Sequence, residues 1–324
     1  MARASSEAPR WKGLLIFLLL TFGLSWGPAL LFARDWSGPG APLAMELLAA
    51  SFFYALTMGW QPLAAVWIVR RWVEPRGFLD QGLKPARHSF LAVATVAPLA
   101  LAGAAVLVAW GLHAWGLVPL TEPSSALAPH PVEAPALSQA VRVTAAFACS
   151  LLLVWGQALA EEVGWRGYFL VRLMERIGPW KGLLLHGLMW GLWYAPPLLF
   201  ATQGLTRAPL RGTTFVLTCA LLGALLGWLR LASRSVVPAT VANAILTLCA
   251  GLPLLLQGTE VGLRGAAYAP PGWLPMAAVL AVLALGRWRG AVAVPAPLGL
   301  APYGVWPQGL GEQRRPGRDH RTLH

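Results

Sequence analysis

Residues 142–167 read RVTAAFACSLLLVWGQALAEEVGWRG, an apolar run that ends on two adjacent carboxylates and an arginine. A helix needs about 20 predominantly apolar residues to cross the hydrocarbon of a bilayer, and this run supplies them. Ionisable groups at the depth of a span are costly enough to mark a functional site by default. Two questions follow: whether the rest of the chain is built the same way, and what holds Glu161, Glu162 and Arg166.

Runs of the same kind recur along most of the 324 residues, of which 57% are hydrophobic and 12% charged. They cover roughly 12–33, 44–69, 90–117, 141–162, 182–202, 213–230, 236–257 and 270–287. That composition excludes an ordinary soluble domain. Backbone amides in lipid must bond within their own segment, and the runs lack the alternation of barrel strands, so the runs are read as helices. The fold class expected is all-α: a polytopic membrane bundle of about eight transmembrane helices with both termini cytoplasmic. Although Arg3, Arg10 and Lys12 precede the first run, it is longer than a secretion signal core and is followed by Arg34-Asp35, so it is read as a retained span.

A formal charge of +12 raises the question of nucleic acid, and its distribution answers it. With the N-terminus inside, every basic residue except Arg34, Arg142, Arg207, Arg211 and Arg264 falls on the inner side, as the positive-inside rule requires. The charge therefore sets topology and meets anionic headgroups; no nucleic-acid partner is expected. The localisation expected is the cell (inner) membrane, multi-pass. Cys149, Cys219 and Cys249 each lie inside an expected span and form no CxxC pair, so no thiolate metal site or disulfide framework is supported.

One membrane domain is expected over 1–289, with no appended soluble module. The outer loop at about 119–140 is rich in Pro, Ala and Ser and is read as irregular. The inner loop 70–89 carries five basic residues, and 290–324 is a Pro/Gly/Arg-rich tail read as disordered. Of the 17 tryptophans, Trp11, Trp36, Trp72, Trp180, Trp273 and Trp288 stand near run ends, where they suit interface anchoring.

Inside the spans, Arg166 is four residues from Glu162 and can pair with it. Glu161 points about 100° away on the helix, which leaves it in search of another partner. In the next span His186, Trp190 and Tyr194 recur every four residues as a stripe, which on spacing alone reads first as a packed aromatic core. Pro196 and Pro197 then interrupt that helix. In the seventh span Asn243 and Thr247 share a face, an arrangement that interhelical hydrogen bonding also explains.

"EEVGWRGYFL", "WGLWYAPPLLF" and "RSVVPATVANAIL" resemble, in order and spacing, the three motifs of the CPBP family, the CAAX-prenyl-protease and bacteriocin-processing (Abi) group of intramembrane proteases. The likeness covers about 141–257. It implies an intramembrane endopeptidase acting on membrane-associated peptides, with Glu161 activating water. Glu161, Glu162 and Arg166 match the first motif in full. The second motif normally places histidine where Tyr194 stands, and the third normally reads histidine and asparagine where Asn243 and Thr247 stand. The catalytic set carried over is Glu161, Glu162, Arg166, Tyr194, Asn243 and Thr247. His186 lies roughly 12 Å along the axis from Tyr194 and does not take the lost histidine's place. Without those histidines no metal and no other cofactor is expected. The partners expected are the lipid bilayer and a membrane-associated peptide or protein. Two other readings stand beside the endopeptidase: a catalytically dead pseudoprotease that binds a membrane partner, and a small transporter using the acid pair.

Overall fold

The computed structural model describes residues 11–32, 58–75, 77–117, 136–194, 208–255 and 270–288, and these residues contain helices and turns but no strand. In chain order the helices are α1 (Trp11–Phe32), α2 (Gln61–Ile68), α3 (His88–Ala114), α4 (Ala136–Glu162), α5 (Leu170–Ile177), α6 (Pro179–Trp193), α7 (Ala208–Ser233), α8 (Val237–Leu255) and α9 (Pro270–Trp288). Each of the eight expected apolar runs holds one of these helices, and the architecture is that of a helical membrane bundle. Three helices are long and apolar enough to cross a membrane by themselves, over Trp11–Pro28, His88–Ala114 and Gly212–Ser233. The first part of the second run, Pro196 and Pro197, Trp36 and the tail 290–324 lie outside the described residues. The loop expected to be irregular over 119–140 is shorter than that, because α4 already begins at Ala136.

One helical rod carries the charged motif. The α4 helix does not stop at Glu162 but continues through a π-helical stretch, Val163–Phe169, directly into α5. A π-turn inserts one extra residue per turn and is a frequent companion of functional sites. Here it buries the whole of Val163 to Phe169. Gly164 and Gly167 make that burial feasible: a Cβ on Gly164 would sit 2.4 Å from Pro62 Cβ, and one on Gly167 would sit 2.9 Å from Gln81 Oε1. The rod ends at Gly178, whose φ of +83° lets the chain reverse before Pro179 opens α6.

Three glycines fix the next contact. Gly187 and Gly191 on α6 face Gly223 and the 216–220 segment on α7, and a Cβ on Gly223 would lie 2.8 Å from Gly187 Cα. Backbones this close are a usual membrane solution, since small residues allow dispersion contacts where no hydrophobic drive exists between helices. The α8 helix packs on α3, α4 and α7, and α9 closes against α3 and α7. Trp193 at the end of α6 is anchored to α1: its Nε1 donates to Ser25 Oγ at 2.7 Å, and its carbonyl accepts from Trp26 Nε1 at 3.0 Å. At the run ends Trp11, Trp72 and Trp180 are exposed, consistent with an interfacial position.

Candidate functional site

Glu161 and Glu162 end α4 and Arg166 lies one turn on in the π segment; Tyr194 caps α6 and Asn243 stands mid-way along α8. These three elements converge. Arg166 Nη1 donates to Glu162 Oε1 at 2.9 Å, with both side chains fully buried. Asn243 Nδ2 donates to the same Glu162 oxygen at 3.0 Å and reaches Glu161 Oε2 at 3.5 Å. Tyr194 Oη donates to Glu161 Oε2 at 2.9 Å. Glu161, the residue that adjacency on a helix leaves without an evident partner, thus takes its donors from residues 33 and 82 positions away in the chain.

Burial gives these contacts their weight. Glu161 is 3% exposed, Glu162 and Arg166 0%, and Asn243 4%, while Tyr194 is half-buried and forms the rim. At such low exposure an unpaired charge is far costlier than in water. Arg166 is held on a second side by the face of Trp190, with Cζ 3.9 Å from the ring centroid, a strong cation–π position. Tyr194 packs against Trp190, Trp193 and Phe215 at centroid distances of 5.8, 4.8 and 5.6 Å, which fixes its hydroxyl on Glu161. The stripe His186, Trp190, Tyr194 is therefore both things at once: an aromatic packing face, and the support that aims Arg166 and Tyr194.

Thr247 is not brought to the carboxylates. Its hydroxyl donates back to the Asn243 carbonyl at 3.0 Å, one turn below, and the residue is exposed. His186 is buried among Trp165 and Phe169, with centroids 6.2 and 6.3 Å away. A divalent ion does not fit this donor set. Among the described residues no three His, Cys, Asp or Glu side chains gather, and the nitrogens against Glu162, a guanidinium at 2.9 Å and an amide at 3.0 Å, are N–H donors that offer no lone pair to a cation.

Sequence reasoning passed over three contributors. Gln157, one turn before Glu161, is 3% exposed, and its position inside an apolar run was a usable signal. Ser25 and Phe215 hold Trp193 and Tyr194 from distant helices, and nothing local marks them.

A second charged cluster lies at the end of the rod. Asp80, in a short 3₁₀ turn at Leu79–Gln81, accepts from Arg70 Nη2 at 2.5 Å and from Arg172 Nη2 at 3.4 Å. Arg230 donates to the Asp80 carbonyl at 3.4 Å. Gly82, at φ +77°, lets this loop cross Arg230: a Cβ there would lie 2.7 Å from the guanidinium carbon. Ser235 Oγ donates to the Lys84 carbonyl and Val236 N to the Gly82 carbonyl, so the loop is bonded to the α7–α8 turn as well. Burial and the neighbouring Arg230 and Arg234 push the Lys84 ammonium below its usual range.

The bundle thus holds a buried glutamate pair, an arginine on the next turn, and polar residues delivered from two further helices. Comparison with known proteins finds a likeness over one part of the chain. Residues 143–249 match the family model for type II CAAX prenyl endopeptidases, described as Rce1-like. The CAAX prenyl protease 2 of Methanococcus maripaludis is 29% identical over 117 residues, which are 34% of this chain and 43% of that protein. The likeness thus spans less than half the length of that curated relative. This segment, which carries all the residues that meet at Glu161 and Glu162, is similar to CAAX-protease-like (CPBP) membrane proteins.

Proposed function

We propose that this protein is a glutamate-dependent intramembrane endopeptidase of the cell membrane, acting on membrane-associated peptides. The observation that carries this reading is that Tyr194 and Asn243, which stand where the family's two histidines are expected, both direct a donor at Glu161 Oε2. The identity of the side chains has changed, but their convergence on the first glutamate has not.

In this reading Glu161 takes a proton from a water molecule, and the water oxygen attacks the scissile carbonyl carbon. The carbonyl oxygen becomes an oxyanion, and the Tyr194 hydroxyl and Asn243 amide, which rest on Glu161 in the substrate-free protein, donate to it. The carbon–nitrogen bond then breaks, and the proton held by Glu161 passes to the leaving nitrogen. Glu162 stays tied to Arg166 and Asn243 and holds the α4 end against α8. Donors fixed in a water-poor site are worth most here, about 10² to 10³ in rate for each oxyanion contact. Half-buried Tyr194 is the point of entry for the peptide.

The test is reconstitution of the full chain into liposomes with lipidated and unmodified peptides, beside Glu161→Ala. Product from the parent and none from the variant supports the reading; equal product from both sinks it.

A second reading, a pseudoprotease that binds a membrane partner in the same place, draws on a different observation: no imidazole reaches either glutamate among the described residues. Restoring Tyr194→His, Asn243→His and Thr247→Asn together separates the two. Cleavage gained only by the restored protein favours the pseudoprotease.

A further inference from the structure

His186 has no place in the chemistry above, yet it is 0% exposed and neither ring nitrogen has a hydrogen-bond partner. An imidazole in such a position forfeits its bonds to water and receives nothing in return, a cost a native bundle does not carry without compensation. Its surroundings show the same deficit. Arg166 uses Nη1 on Glu162, but its Nε and Nη2 are buried without partners. Glu162 Oε2 and Trp190 Nε1 are buried without partners as well. These groups are neighbours: Arg166 lies on the Trp190 ring, Trp190 is one turn from His186 on α6, and Arg166 acts electrostatically on His186.

The orphaned atoms do not satisfy one another. Arg166 and Trp190 offer only N–H donors, Glu162 Oε2 only accepts, and a neutral imidazole offers one of each. A molecule that both donates and accepts resolves the mismatch, and a buried water typically serves about three such groups. We infer that ordered water sits between Arg166, Glu162 and His186, and that His186 is a positioning residue that anchors the inner end of this hydrated chamber. The chamber adjoins the glutamate pair through Glu162 and Arg166. It supplies what hydrolysis inside an apolar bundle lacks, a resident store of water behind the base. The hydration follows from the unmatched polar atoms alone; its role in catalysis rests on the endopeptidase reading.

Water-edited solid-state NMR on the full-length, ¹⁵N-histidine-labelled protein in liposomes tests the hydration without any need for activity. His186 is assigned by the signal missing from His186→Gln. Magnetisation reaching the His186 ring from water, as it reaches exposed His88, is the expected result; a His186 ring dark to water overturns the inference. The catalytic half is read by peptide cleavage. His186→Phe, which removes both ring nitrogens, lowers kcat about tenfold with KM unchanged, the worth of one hydrogen bond. His186→Gln, which can still donate and accept, recovers most of it. Equal rates for both variants, whether high or low, overturn the positioning role. A parent that cleaves nothing defeats the endopeptidase reading, and the NMR result then still decides the chamber.

Discussion

The two charged clusters are each built on buried arginines, yet they are organised in opposite ways. Around Asp80 the arginines outnumber the acid they share. Arg70 and Arg172 reach its carboxylate and Arg230 the Asp80 carbonyl, across 10, 92 and 150 residues of chain, and Glu74 and Glu175 take up part of the remaining charge. Around Glu161 the carboxylates outnumber the cation, and the deficit is met by the neutral donors Tyr194 and Asn243. The first arrangement joins α2, the rod and the α7–α8 turn through one loop. The second gathers two carboxyl groups beside one guanidinium in the interior, which packing alone gives no reason to keep. A charge cluster that ties distant elements together at an interface is a fastener, whereas paired carboxyl groups met by neutral donors are what the proposed hydrolysis would use.

That contrast is broken most severely by removing the cation from the unbalanced site. Arg166→Ala leaves Glu162 fully buried without its ion pair and is expected to cost about 3–5 kcal/mol, measured by chemical denaturation in detergent. Arg166→Lys keeps the charge but loses the fork and the stacking on Trp190, and is expected to recover about half of that loss. Asp80→Ala strips two guanidiniums, those of Arg70 and Arg172, of their shared carboxylate and leaves the carbonyl that Arg230 uses. The expected cost is about 3 kcal/mol in the same assay, with cleavage per folded molecule unchanged, since no Asp80 contact touches Glu161. Gly223→Ala puts a methyl 2.8 Å from Gly187 Cα and must displace α6 from α7. It is expected to cost about 1–3 kcal/mol and, because α6 carries Tyr194, to lower the cleavage rate as well. Thr247→Ala has the smallest effect, within about 0.5 kcal/mol and without change in cleavage, because the hydroxyl only bonds back to its own helix.

Much of the bundle is legible from hydropathy, because a bilayer forces each long apolar run to be a helix. The pairing of Glu162 with Arg166 is legible from a spacing of four. What periodicity does not carry is register between helices. Nothing local shows that Tyr194 and Asn243 reach the same oxygen of Glu161, since that depends on Gly187 meeting Gly223 and on α8 lying against α4. The π segment is equally hidden: one inserted residue turns Arg166 and Trp165 inward, and only the close approach of Pro62 and Gln81 to Gly164 and Gly167 reveals the reason. The inner loop 70–89 reads as a basic topology signal, and its basic residues mask the role of Asp80, whose partners are far away in sequence. Thr247 illustrates the converse. Its spacing from Asn243 places both on one face, but the Thr247 side chain turns back onto the helix rather than towards the carboxylates.

The account turns on whether Tyr194 serves Glu161, and one oxygen atom decides it. Cleavage of a membrane-associated peptide by the reconstituted parent and by Tyr194→Phe, with folding of both checked by thermal melting, is the direct measurement. The account predicts product from the parent and about a hundredfold slower cleavage from the variant at equal stability. Equal rates in the two proteins, or cleavage by neither, would contradict it.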